Sequence, residues 1–286
     1  MKYLEYKIAT RIDDIEKIRK GEFPAPRSLT IYPSEVCNLH CIGCHSKKIH
    51  KVKGFMSYKL FKVILDDFIK FGGKAIALEG GGEPMLTPDI NKMLKYAKGK
   101  VDIGIITNGT VFKKEMLLAN WIRVSMPATT KLKYNKLTVS DKYDTVINNI
   151  KTIVKKRKDT KIGIKLLLSE ICPSFPNARR QLPTVDYITE KRLRNDKHSL
   201  VKNPKHVDPC GLTPLRAVVD FNGSFYACPF FHHIDGTYIG IGEISKFWGL
   251  ATHRKAIKSI KNCNLYDCPM LDIDYAFVKG LDLNFI

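Results

Sequence analysis

Between residues 29 and 189 short apolar runs alternate with longer stretches of helical periodicity, and this alternation restricts the fold more than any other feature of the chain. Leu29-Thr30-Ile31-Tyr32-Pro33-Ser34 reads as a first strand. Ser57 caps an expected helix over 58–71 with an apolar face of Leu60, Phe61, Ile64, Leu65 and Phe68, and Gly72-Gly73 ends it. Ala75–Leu78 then reads as a buried parallel strand. The pattern repeats as helix 88–98, strand 101–106, helix 113–119, strand 121–126, basic helix 141–158, strand 161–168 and a sixth strand over 184–189. Six strands with helices between them predict an α/β fold with a parallel sheet. Functional loops of such folds gather at the C-terminal ends of the strands, which places Asn108, Ser125, Lys165 and Ser169 near one mouth. Upstream, Ile12, Ile15 and Ile18 mark one face of a helix in an N-terminal arm, stopped by Gly21, Pro24 and Pro26.

Directly after the first strand comes Cys37-Asn38-Leu39-His40-Cys41-Ile42-Gly43-Cys44, three cysteines spaced by three and then two residues. Three thiols this close do not all pair as disulfides; they aim at one metal centre. Thiolates are soft ligands that select iron–sulfur clusters, zinc or Cu(I). On a four-iron cluster, three protein ligands leave one iron open to a substrate or cofactor, and a zinc knuckle is the competing reading. A second motif, Glu79-Gly80-Gly81-Gly82-Glu83-Pro84, follows the second strand. Consecutive glycines let a backbone approach a ligand closely, or they form a plain turn.

Together the C-x3-C-x2-C loop and the Gly-Gly-Glu-Pro element resemble the radical S-adenosylmethionine (SAM) enzymes. The resemblance implies a partial (βα)6 TIM-like barrel in which Cys37, Cys41 and Cys44 hold a [4Fe–4S] cluster with one open iron. It implies that this iron binds SAM, and that the cluster cleaves it reductively to a 5′-deoxyadenosyl radical, which takes hydrogen from a substrate. By the same resemblance Gly81, Gly82 and Glu83 shape the SAM pocket, Ser125 stands where a polar residue touches the SAM ribose, and Asn108 is its neighbour. Lys165, inside an apolar strand, pairs with the SAM carboxylate or the substrate, or else snorkels to solvent. An electron donor such as flavodoxin or ferredoxin is implied. The residue before the third cysteine, often aromatic in the family, is Gly43 here.

Four further cysteines follow the barrel: Cys210, Cys228, Cys263 and Cys268. Asn222-Gly223 between two apolar runs predicts a hairpin whose ends carry the first pair, and the second pair follows a helix near 252–260. Cys210, Gly223 and Cys228 resemble the opening of the SPASM/twitch extension, and four cysteines match its shorter, twitch form. This implies an auxiliary [4Fe–4S] cluster; a closed four-thiolate zinc site is the alternative. Cys172 stays unassigned between an inert buried thiol and a hydrogen-atom donor to a substrate radical. The expected organisation is an arm (1–28), the barrel (29–190), a basic connector (191–209) and a small cysteine-rich α+β extension (210–286).

The 286 residues carry 48 Lys and Arg against 28 Asp and Glu, a net charge of +20, so a solvated basic surface or an anionic partner is expected. Neither a membrane span nor a signal peptide is read, and eight cysteines without an export signal point to a reducing cytoplasm. The expected reaction is net oxidation or rearrangement of an anionic small molecule, a nucleotide or a modified nucleic-acid base. The short arm before the barrel argues against a peptide-binding domain, so maturation of a ribosomally made peptide, like dehydrogenation of a sugar or aminoglycoside, ranks second. A non-catalytic basic metalloprotein that binds nucleic acid is the reading from another class.

Overall fold

The computed structural model describes residues 12–44, 52–169, 171–192, 216–228 and 238–259. Residues 1–11 of the arm, the connector from residue 193, and Cys210, Cys263 and Cys268 lie outside the described residues. The elements run α1 (Ile12–Arg19), β1 (Ser28–Ile31), α2 (Tyr58–Lys70), β2 (Ala75–Leu78), α3 (Ile90–Ala97), β3 (Asp102–Thr107) and β4 (Trp121–Met126). They continue as α4 (Lys131–Thr138), α5 (Tyr143–Lys156), β5 (Lys161–Leu168), α6 (Ala178–Gln181), β6 (Tyr187–Arg192), β7 (Arg216–Val219), β8 (Ser224–Tyr226), β9 (Tyr238–Ile241) and α7 (Ala251–Ser259).

Among the described residues one sheet of nine strands runs β6-β5-β4-β3-β2-β1-β7-β8-β9. All pairs from β6 to β1 are parallel, as strand–helix–strand crossovers require. The sheet does not close on itself, which fits the partial barrel expected. β7 adds in parallel on the free side of β1, and β8 and β9 continue antiparallel. The hairpin anticipated at Asn222-Gly223 is therefore continuous with the barrel sheet. Gly223 N–H donates to the Asp220 carbonyl at 2.9 Å to close its turn.

Alternation within each strand sorts the side chains. Ile122, Val124 and Met126 of β4, and Ile162, Ile164 and Leu166 of β5, are fully buried in the core. The helices meet such residues with apolar faces: Phe61, Ile64, Leu65 and Phe68 of α2, and Ile90, Met93 and Leu94 of α3. Each such side chain contributes roughly 1.5–3 kcal/mol by leaving water. The intervening residues Ser125 and Lys165 are register partners and share the other, concave face.

Several elements differ from the sequence expectation: the short α6 and β9 are absent from the sequence reading, and three further differences have a local cause. Residues 114–118 form a 3-10 turn, with Met116 N–H on the Lys113 carbonyl and Ala119 N–H on that of Met116, because the segment is too short for a full helix. β6 starts at Tyr187: Asp186 N–H already bonds Ile162 O at 2.9 Å, but the Ile162 N–H goes to the Asp186 carboxylate at 2.6 Å rather than to a main-chain carbonyl. α4 has no counterpart in the sequence reading. Its Lys-Leu-Lys-Tyr-Asn-Lys-Leu-Thr is too polar to show a stripe, yet Tyr134, Leu137 and Thr138 are buried.

Candidate active site at the strand C-termini

The cysteine loop leaves the end of β1 and is clamped by the neighbouring strand ends. At its base, residues 52–56 return alongside residues 33–35: Glu35 N–H donates to Gly54 O at 3.0 Å, and Met56 N–H to Pro33 O at 2.9 Å. The glycine run after β2 bonds the segment just before the first cysteine, with Gly82 N–H on Ser34 O at 2.9 Å and Glu83 N–H on Val36 O at 2.8 Å. A Cβ on Gly82 would stand 2.3 Å from Val36 O, and one on Gly81 2.1 Å from Glu35 Oε2. Absent side chains let these two segments touch. On the far side, α4 accepts the loop N–H groups: His40 donates to Thr138 O at 3.1 Å and Ile42 to Leu137 O at 2.8 Å. Gly43 sits at φ +75°, and Cys44 N–H reaches Cys41 O at 3.3 Å. The tight turn between the last two cysteines therefore favours glycine where the family often has an aromatic.

The end of β3 supplies the polar contacts. Asn108 Nδ2 lies 3.8 Å from Cys37 Sγ and donates to Asn38 Oδ1 at 3.0 Å, while its own Oδ1 accepts the Thr110 N–H at 2.9 Å. Asn38 Nδ2 also donates to Thr110 Oγ1 at 2.8 Å. Asn108 is fixed from below by Glu83, which is 2% exposed: its Oε2 accepts Asn108 N–H at 2.7 Å, and its Oε1 accepts Thr107 Oγ1–H at 2.6 Å and Met85 N–H at 3.1 Å. Burial pushes the Glu83 carboxyl above its ordinary value, and these three donors pull against it. Glu83 thus ties the glycine run to the end of β3.

A cavity of about 350 Å³ opens over this network. Cys41 and Cys44 line it, together with Gly80, Asn108, Ser125 and Lys165. The structure thus brings Cys41, Cys44 and all four strand-end residues, Asn108, Ser125, Lys165 and Ser169, to one place, with Cys37 beside Asn108. Of the glycine run it brings Gly80 to the wall, whereas Gly81, Gly82 and Glu83 support the loop from behind. Cys37, Cys41 and Cys44 are free thiols. Desolvation at the loop base pushes the Cys37 thiol up, opposed by the Leu39 backbone and the Asn108 amide. Among the described residues no three Cys, His, Asp or Glu side chains converge on a single ion. Three soft donors standing apart on a loop over a cavity fit three corners of a cluster better than one tetrahedral ion.

Cys172 is 2% exposed, and its backbone N–H turns back on Ser169 O at 3.1 Å. Of the later cysteines only Cys228 is described; it packs against the core beyond β8. Reading the sequence missed Tyr134 and Arg123. Tyr134 is fully buried on α4. Arg123, two residues before Ser125 on β4, keeps a buried Nε without a hydrogen-bond partner among the described residues. A charge inside an otherwise apolar strand was the available signal for Arg123. No helix of the described residues is long and apolar enough to cross a membrane.

Residues 31–170 match the model of the radical SAM superfamily. The chain is 41% identical over 83 residues to a tungsten-containing aldehyde ferredoxin oxidoreductase cofactor-modifying protein of Pyrococcus furiosus, covering 28% of this chain and 23% of that one. It is 31% identical over 137 residues to a probable GTP 3′,8-cyclase of Methanocaldococcus jannaschii, covering 45% of each. The aligned stretches thus span less than half of these curated relatives. Among solved structures, Streptococcus suis SuiB bound to the precursor peptide SuiA superposes with a TM-score of 0.63 at 17% identity, over 91% of this chain and 75% of that one. SuiB bound to S-adenosylmethionine gives 0.62. Motif, open parallel sheet and family match coincide on residues 31–170, and this part of the chain carries the radical SAM domain, whose enzymes use a [4Fe–4S] cluster and SAM.

Proposed function

We propose that this protein cleaves SAM reductively and abstracts a hydrogen atom from an anionic small molecule or nucleotide, with net oxidation or rearrangement. The observation that carries the reading is the convergence of Cys41, Cys44, Asn108, Ser125 and Lys165 on one cavity at the strand C-termini. Cys37, Cys41 and Cys44 would hold the cluster, which when bound supplies the single electron that breaks the SAM sulfonium bond. Asn108, locked by Glu83, positions the Cys37 side of the loop. Ser125 and Lys165 lie side by side across β4 and β5, where a hydroxyl and an ammonium suit a ribose and a carboxylate. The surrounding walls exclude water from a reactive intermediate.

The anionic substrate class is supported by Lys165 on the cavity wall, by Arg123 two residues before Ser125 on the neighbouring strand, and by the net charge of +20. The similarity to a probable GTP 3′,8-cyclase points the same way. Cys210, Cys228, Cys263 and Cys268 would hold an auxiliary [4Fe–4S] cluster that accepts the second electron of an oxidation. This assignment rests on the resemblance of Cys210, Gly223 and Cys228, spaced C-x12-G-x4-C, to the opening of that extension. A flavodoxin or ferredoxin would supply the first electron.

Anaerobic reconstitution with iron and sulfide, followed by SAM and a strong reductant, tests the reading through release of 5′-deoxyadenosine. Wild-type protein forms it, Cys41→Ala forms none, and Cys263→Ala retains the iron of one cluster only. Zinc at both sites with no product would instead support the basic metalloprotein that binds nucleic acid.

A further inference from the structure

Two tyrosines stand edge-on at the back of the cysteine loop, with ring centroids 5.6 Å apart: Tyr134 of α4 and Tyr143 of α5. The Tyr143 hydroxyl is satisfied, donating to Thr129 O at 2.6 Å. The Tyr134 side chain is 0% exposed, and its hydroxyl has no hydrogen-bond partner among the described residues. A tyrosine hydroxyl sealed from water usually finds an acceptor, because leaving the donor unmade forfeits its hydration. The orphaned Tyr134 Oη thus calls for an acceptor that the polypeptide does not provide.

The surroundings say what kind. The ionisable groups acting on Tyr134 are Cys41, Glu83 and Cys37. Glu83 accepts from Met85, Thr107 and Asn108 and makes no hydrogen bond with Tyr134. The two cysteine sulfurs remain. The geometry is fixed rather than incidental, since Leu137 O and Thr138 O of the same helix accept the Ile42 and His40 N–H groups of the cysteine loop. Thr138 Oγ1 in turn donates to Tyr134 O at 2.9 Å. Any group held by the loop is therefore held at a constant position relative to Tyr134.

We propose that Tyr134 Oη donates a hydrogen bond to a sulfur of the cluster on Cys37, Cys41 and Cys44, a thiolate or a bridging sulfide, and so raises its reduction potential. This inference rests on the cluster assignment made above. On reduction the cluster gains one electron from an external donor, no bond is made or broken at Tyr134, and the phenol keeps its proton. A hydrogen bond to sulfur stabilises the more negative, reduced cluster more than the oxidised one.

The test compares reconstituted wild type with Tyr134→Phe, which keeps the ring and removes the donor. Iron content is measured first, and the midpoint potential is then read by redox titration monitored through the signal of the reduced cluster. The expected result is equal iron and a potential lower by about 59 mV, a tenfold shift of a one-electron equilibrium. Equal iron with an unchanged potential overturns the proposal. Thermal unfolding supplies a second readout. Without iron, Tyr134→Phe should be at least as stable as wild type, since it loses an unsatisfied donor; with iron bound the order should reverse. A variant that is less stable than wild type without iron, or that fails to fold, shows that the hydroxyl already has a partner in the chain and overturns the proposal. A variant that is stable without iron yet takes up no cluster supports the contact. Wild-type protein that takes up no iron sinks the cluster assignment itself, an outcome distinct from all of these.

Discussion

The two ends of the parallel strands are made of similar residues and do different work. At the N-terminal ends the polar side chains close the sheet. Asn120 Oδ1 accepts Ile103 N–H at 2.8 Å while its Nδ2 donates to Asp102 at 3.0 Å, and Thr160 Oγ1 donates to Leu117 O at 3.1 Å. Asp186 accepts Ile162 N–H and pairs with Arg157. At the C-terminal ends the side chains hold a loop rather than a sheet, and several carry a cost. Glu83, Glu35 and Asp220 are carboxyls at most 2% exposed, and Tyr134 carries an unsatisfied hydroxyl. Burying carboxyls costs stability unless they are neutral or well bonded. Among the described residues the three most deeply buried carboxyls stand at this end, whereas the buried Asp14 at the opposite end is paired with Arg27, and this is what a functional mouth on a structural base should show.

The strongest way to break this contrast is Gly82→Ala. The added Cβ meets Val36 O at 2.3 Å and Val36 N at 2.6 Å, both backbone, in the segment that leads into Cys37. No rotamer change relieves a backbone collision, so the cysteine loop must move. The expected loss is roughly 3 kcal/mol of stability, at the upper end for overpacking, together with most of the iron uptake. Near-normal iron loading in the variant would show that the glycine run does not set the loop position.

The next test uses pH, with opposite signs in two places. Burial, and then the neighbouring Glu35 carboxylate, push Asp220 from 3.8 up to about 8, against a hydrogen bond from Tyr226. The fold therefore holds a proton that the unfolded chain has released. Its contribution is fully present below pH 3.8 and is lost as pH rises towards 8, at no more than ~1.4 kcal/mol per pH unit. Asp220→Asn should gain on wild type across that window in a series of melting temperatures. His253 on α7, stacked 4.1 Å from Trp248, behaves in reverse. Its Nδ1 accepts Gly249 N–H at 2.9 Å, and burial, helped by Arg254, pushes its pKa from 6.5 down to about 4. Here the unfolded chain binds the extra proton, so stability falls as pH drops from 6.5 to 4, by about 3 kcal/mol in all. His253→Gln should flatten that acid limb. Parallel curves for wild type and either variant would remove the corresponding assignment.

The mouth was more legible in the sequence than the base, for a physical reason. Cys37, Cys41, Cys44, Asn108, Ser125 and Lys165 stand out because their chemistry is out of place in or beside apolar runs, and strand-end position brings all but Cys37 to one cavity, with Cys37 beside Asn108. The strands themselves were readable within a residue from β2 to β5 because each stands as a short apolar run between turn signals, whereas β1 ends at Ile31, ahead of Pro33. What stayed hidden depends on contacts distant in sequence. α4 has no amphipathic stripe and owes its place to accepting His40 and Ile42 N–H groups about ninety residues upstream. Gly81 and Gly82 read as glycines that shape a ligand pocket; what the sequence does not show is that their missing side chains make room for Glu35 and Val36. The start of β6 moved because the Asp186 side chain competes with the backbone for the first bond. Such a choice is settled by which donor is nearby, not by local propensity.

Asn120→Ala is the smallest effect expected and sharpens the contrast from the structural side. The variant removes the acceptor for Ile103 N–H and the donor to Asp102 at the start of β3. The main-chain bonds Asn120 N–H to Ile103 O and Lys161 N–H to Asn120 O remain, so the strands keep their register. An amide left partly buried without its acceptor costs about 1–2 kcal/mol. The melting temperature should fall accordingly, while iron uptake and the cluster potential stay at wild-type values. If the potential moved with the melting temperature, the two ends would be energetically coupled through the strands. The division of labour between base and mouth would then be one of position only, and the effects of Gly82→Ala on the loop would have to be reread as effects on the whole sheet.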